Sequence, residues 1–196
     1  MATLYYDLAS PYAYLAVARA ADVLPEPPRL QPVLLGAIFA ERGWGSWSAT
    51  HARAANMADV AARAQRYGLP IITWPPGWPP NSMAAMRAAI WAERQRGTQA
   101  AEAFARSAFH AAFAQCADLA DVAVLQAAAD RAGLPAAALP DAIADPVVKL
   151  ALREATDAAI ARGVRGVPTL ETDDGRLLYG DDRLEQALTS PAEPPA

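Results

Sequence analysis

The sequence predicts an α/β fold in which a small sheet, made from the two ends of the chain, is interrupted by a large all-helical insertion. Three observations predict it. Residues 1–36 read strand, turn, helix, strand. Residues 163–190 read strand, tight turn, strand, helix. The stretch between carries helical periodicity and almost no strand pattern. The expected division is 1–36 plus 163–190 for the discontinuous sheet domain and 37–162 for the insertion, with 191–196 a flexible proline-rich tail.

The run Thr3-Leu4-Tyr5-Tyr6 is apolar and aromatic, as a buried strand requires. Asp7 to Ser10 breaks the pattern, and Pro11 suits the first turn of a helix, where a missing N–H loses nothing. Tyr14, Leu15, Ala18 and Ala21 then recur at helical spacing up to Leu24. Ser10 is thereby placed at a strand-to-helix turn, near the positive end of the helix. Prolines 25, 27 and 28 lead into a second strand at residues 30–35, paired parallel to the first across the helix.

The insertion reads as helices over 48–67, from Asn81 or Ser82 to Gly97, and over 98–115, 118–132, 134–144 and 145–162. Asp145-Pro146 is the clearest start among them, and Ile71-Ile72 is the one short strand-like pair. Trp74-Pro75-Pro76-Gly77-Trp78-Pro79-Pro80 is a rigid loop, either packed on the surface or an aromatic wall for a planar ligand. After Pro168 come residues 169–172, the turn Asp173-Asp174-Gly175 and residues 176–179, a hairpin signal. A last helix spans 181–188.

Composition narrows the partners. The net charge of −4, with no lysine or arginine cluster, argues against nucleic acid and anionic membrane surfaces. The first residues are strand-like and lack the pattern of a secretory leader, and no apolar run approaches the ~18 residues that span a bilayer. The lone Cys116 cannot form an internal disulfide. A cytoplasmic location is expected. The two histidines, His51 and His110, have neither a nucleophile-elbow serine nor metal-ligand spacing, so no triad and no metal are expected.

Ser10-Pro11-Tyr12 after an aromatic strand, Gly166-Val167-Pro168-Thr169, and Gly180-Asp181-Asp182-Arg183-Leu184 resemble, in this order, the 2-hydroxychromene-2-carboxylate isomerase family. That family is related to kappa-class glutathione transferases within the DsbA-like thioredoxin superfamily. The resemblance covers about residues 3–188 and implies a thioredoxin-like domain of DsbA/kappa type, with Val167–Pro168 cis and lying beside Ser10. Redox chemistry in that fold needs two cysteines at the helix start, but the window here is Ser10-Pro11-Tyr12-Ala13. Cys116 reads as inert packing within a helix.

The resemblance implies glutathione as cofactor, its thiolate held by the catalytic Ser10. The main chain of Val167, before Pro168, would pair with the glutathione backbone. Asp181 and Asp182 would hold the γ-glutamyl ammonium at the start of the last helix, with Arg183 beside them. Arg53 stands about where the family often has a lysine, and Trp44 where it commonly has asparagine. Pro11, Tyr12, Trp78 and Asn81 are the candidate substrate contacts. Helix capping also explains Ser10, Asn81 and Asp181. The implied activity is glutathione-dependent isomerisation of an aromatic carboxylate by reversible thiolate addition, in a homodimer. A kappa-like transferase and a non-catalytic binding module are the rivals, and Trp44 keeps the second alive.

Overall fold

The computed structural model describes residues 1–75 and 77–189; the expected tail, 191–196, lies outside the described residues. A four-stranded sheet has the order β2-β1-β3-β4. β1 (Thr3–Tyr6) and β2 (Arg29–Pro32) are parallel, joined by α1 (Pro11–Val23). β3 (Thr169–Glu171) pairs antiparallel with both β1 and β4 (Leu177–Tyr179). The two ends of the chain therefore share one sheet, as expected. Tyr5 faces Thr169 at the close of the β1–β3 ladder, so the Val167–Pro168 bond, which is cis, falls beside the exit of β1.

β2 is shorter than expected. The ladder closes with the Val33 N–H on the Tyr6 carbonyl at 3.0 Å; the next amides, of Leu34 and Leu35, donate to the side chains of Thr156 and Asp7, and Leu35 already opens α2 (Leu35–Glu41). The expected helix over 48–67 divides into a 3-10 turn, Trp47–Ala49, and α3 (Arg53–Arg66). Thr50 separates them: its hydroxyl bonds to the Trp47 carbonyl and takes the Ala52 N–H, competing with helix formation. α4 (Met83–Gln115) runs through the expected break, but Arg96 and Gly97 leave helical geometry, with φ +78° at Gly97. α5 (Val122–Arg131) starts later than expected because Asp121, not Asp118, caps it. A 3-10 turn (Ala136–Ala138) and α6 (Leu139–Ala144) precede α7 (Pro146–Ala161), which Asp145 caps with Oδ1 2.7 Å from Val147 N. The last helix, Asp181–Leu188, is 3-10, and Gly180 rather than Asp181 holds its N-cap position.

α4 organises the interior. It packs against α1, β2, α5, α6 and α7, and its Phe104, Phe109 and Phe113 are buried with Tyr6, Leu4 and Leu15. Alanines at 85, 88, 89, 105, 108 and 112 of α4 are also buried and let the neighbouring elements approach closely.

Candidate active site

The turn between β1 and α1 is held at nearly every polar atom. Asp7 C=O accepts from Ser10 N–H at 2.9 Å, and Asp7 Oδ1 accepts from Ala9 N–H at 2.9 Å. Leu8 N–H donates to Met86 Sδ at 3.2 Å, and the Trp78 indole N–H donates to the Ala9 carbonyl at 3.2 Å. Ser10 follows, buried, with extended backbone (φ −90°, ψ 115°). Its Oγ accepts the Ala13 N–H at 3.2 Å, a helix cap. The hydroxyl proton has no acceptor among the described residues, so capping and donation to a ligand are compatible.

Val167 lies two residues before Thr169, which faces Tyr5 in the β1–β3 ladder. Neither its N–H nor its C=O has a main-chain partner among the described residues, whereas the Pro168 carbonyl takes the Gly180 N–H at 3.0 Å. Gly166 is closely covered: a Cβ there would stand 2.9 Å from the Tyr179 ring. The Val167 main-chain groups are thus left unpaired by the main chain, at a residue that is itself buried.

An aromatic wall flanks Ser10. Trp78 is buried, with its ring 5.0 Å from Trp47 and 4.8 Å from Trp74, centroid to centroid. Tyr12 meets Trp47 edge-on at 6.2 Å, and Pro11 is buried at the first helical position. Arg53 belongs to this wall. Its guanidinium donates to the carbonyls of Trp78 (2.8 Å) and Ser48 (3.1 Å) and sits 5.2 Å over the Trp78 ring. Both of these bonds go to neutral carbonyls.

Tyr12 donates to Asn56 Oδ1 and Asp59 Oδ2, both at 3.1 Å; burial first, then Asp59, pushes its phenol far up. Asp59 also binds Arg63, which reaches Asp181 at 3.0 Å and Asp182 at 3.4 Å.

Asp181 departs from its expected roles. Its side chain is buried and its oxygens already accept from Arg63 and from the Tyr67 hydroxyl at 3.0 Å, because the turn at Gly180 points it inward. Burial raises its pKa, against the pull of Arg63. Asp182 and Arg183 are exposed. Two further expected members make local contacts. Trp44 is exposed and packs on Phe39 and Arg42, and Asn81 is exposed and spends its Oδ1 on the Met83 N–H at 3.1 Å. Cys116 is not within a helix: it terminates α4 in left-handed geometry, exposed, its Sγ donating to the Trp74 carbonyl.

Asp7, Trp47, Asp59, Arg63, Tyr67 and Met86 were not singled out by sequence reasoning. The i,i+4 spacing of Asp59 and Arg63 was their one visible signal. Among the described residues no helix is long and apolar enough to cross a membrane, and no metal-binding cluster forms. A groove of about 570 Å³ lies elsewhere, between Leu24, Arg176 and Leu188, and contains none of these groups.

Residues 2–190 match the model of the family described as DSBA-like thioredoxin domain. The chain is 29% identical over 189 residues to a 2-hydroxychromene-2-carboxylate isomerase of Sphingobium xenophagum, covering 92% of each. A solved 2-hydroxychromene-2-carboxylate isomerase superposes with TM-score 0.83 at 22% identity, over 94% of this chain and 91% of that one. The cytosolic disulfide reductase DsbM of Pseudomonas aeruginosa, solved with GSH, superposes with TM-score 0.66 at 18% identity, over 95% and 93%. These likenesses agree with the fold read from the sequence.

Proposed function

The chain belongs to the DsbA-like thioredoxin family, and on that premise we propose that it is a glutathione-dependent isomerase acting on a small aromatic carboxylate in the cytoplasm, as a homodimer. One observation carries the reading. At the start of α1, where the disulfide chemistry of the fold needs cysteines, this chain has a buried serine whose hydroxyl proton is unengaged among the described residues. Such a group cannot exchange disulfides. It can donate a hydrogen bond to a thiolate brought by a ligand, at the positive end of a helix. The likeness to an isomerase and to a disulfide reductase solved with GSH supports glutathione as that ligand.

The steps follow. Ser10 stabilises the glutathione thiolate, which adds to a conjugated carbon of the substrate. The former double bond is now single and rotates. The thiolate then leaves, restoring the double bond in the other geometry and regenerating glutathione, so no electrons are lost or gained. Val167 pairs with the glutathione main chain next to Pro168. Asp182, with Arg183 near it, faces the γ-glutamyl end, and Asp181 acts through Arg63. Arg53 supplies a cation for a carboxylate beside the wall of Tyr12, Trp47 and Trp78, where a planar ring is accommodated.

Incubation with 2-hydroxychromene-2-carboxylate and catalytic glutathione tests this. Conversion to the ring-opened isomer with glutathione recovered is the expected result. Stoichiometric loss of glutathione identifies a transferase instead, and binding without conversion identifies a ligand-binding module.

A further inference from the structure

We propose that Asp7, as a carboxylate, is the positioning residue of the active-site turn, holding Ser10 in place and tying its turn to the start of α2. Its meaning for turnover rests on the function proposed above; its geometry does not.

Asp7 is 2% exposed and has no Lys, Arg or His partner among the described residues. A buried carboxylate without a cation persists only where hydrogen bonds replace its water. Here each oxygen has its own donor. Oδ1 takes the Ala9 N–H and Oδ2 takes the Leu35 N–H, both at 2.9 Å. Ser82, just before α4, also favours the charged form of the carboxylate. The main chain of the same residue takes the Ser10 N–H. An amide in this place has one oxygen and serves one of the two N–H groups, while its NH₂ faces the other. The cradle therefore fits an ion.

The carboxylate draws on every segment that meets there. From its own strand comes the Tyr6 phenol, which burial first, then Glu93 and Asp7, push far up. The donor that reaches it from α2, the Leu35 amide, is neutral. Burial lifts Asp7 above the usual carboxylate range, and the Ala9 and Leu35 amides, with Ser82, oppose this. When Asp7 is protonated, the proton lands on an oxygen that already accepts an N–H. One of the two bonds weakens, and the grip on the turn preceding Ser10 loosens. Activity accordingly has an acid limb set by Asp7.

Carbon-13 carboxyl titration of the wild-type protein, with amide shifts followed in parallel, tests the geometry without any substrate. The Asp7 carboxyl is expected to titrate above ~3.9, with the Ala9, Ser10 and Leu35 amides moving at the same midpoint. In Asp7→Asn, kcat is expected to fall roughly 10- to 100-fold, KM for glutathione to change less, and the acid limb of kcat/KM to vanish. Amides that ignore the Asp7 midpoint overturn the proposal, as does Asp7→Asn with wild-type turnover and an unmoved limb. If Asp7→Asn does not fold, the wild-type titration decides. Concerted amide shifts in a protein lacking isomerase activity uphold the positioning role and remove only the isomerase reading.

Discussion

Asp181 Oδ1 lies 3.0 Å from Arg63 Nη1, joining the first turn of the C-terminal 3-10 helix to α3. The same guanidinium binds Asp59, approaches Asp182 and sits 5.6 Å over the Tyr12 ring. One cation thus connects the terminal segment, α3 and the residue two places after Ser10. The Asp181 side chain is 1% exposed, whereas Arg63 keeps 24% of its side chain exposed.

Asp181→Ala is expected to lose about 1–3 kcal/mol of stability, from the unpaired Tyr67 hydroxyl and the lost bond to Arg63. The loss stays below the ~3–5 kcal/mol of a fully broken buried pair, because Arg63 keeps Asp59 and Asp182. Urea unfolding measures it, and an unchanged midpoint would show the contact to be idle.

Tyr12→Phe removes the donor shared by Asn56 and Asp59. A loss of about 1 kcal/mol is expected at this half-buried position, with α1 intact. If circular dichroism and the melting curve match wild type, Tyr12 is not anchored as described.

Much of the fold was legible in the sequence. The apolar run at residues 3–6, Pro11 behind Ser10, Asp145-Pro146 and the Asp173-Asp174-Gly175 turn each act locally, through strand propensity, capping and turn geometry. The bounds that shifted depended on competition the pattern does not record, such as Thr50 bonding its own neighbours or Asp121 outcompeting Asp118. At the site, Ser10 was legible because strand, break and proline converge on it. Asp7 was not, because its partner Leu35 comes from a distant segment. Asp181 was misplaced for the same reason: a cap and a buried ion-pair partner look alike until Arg63 is seen beside it.

The pH dependence of stability has a definite sign at Asp7. Its folded pKa is raised by burial, so its favourable contribution is full below the ordinary ~3.9 and is lost as pH rises through the raised value. The difference in melting temperature, wild type minus Asp7→Asn, should therefore shrink as pH climbs through that value. A difference that grows over the same interval contradicts the burial account.

Glutathione titration separates the two acids of the last helix. Asp182→Ala should weaken binding about 2- to 5-fold, as a charge in the first turn acts locally. Glu185→Ala should leave binding unchanged, since Glu185 pairs with Arg19. Equal effects would place the ligand away from this helix.

The central claim is that Ser10 donates to a glutathione thiolate, and thiolate absorbance of the bound complex against pH tests it most directly. Ser10→Ala should raise the bound thiol pKa by about one to two units, with turnover about 10- to 100-fold lower and glutathione affinity changed less. Removing the cap on Ala13 also lowers stability by about 1 kcal/mol, so the melting temperature of the same sample is recorded alongside. A thiolate midpoint identical to wild type, accompanied only by the lower melting temperature, would contradict the account and leave Ser10 as a helix cap.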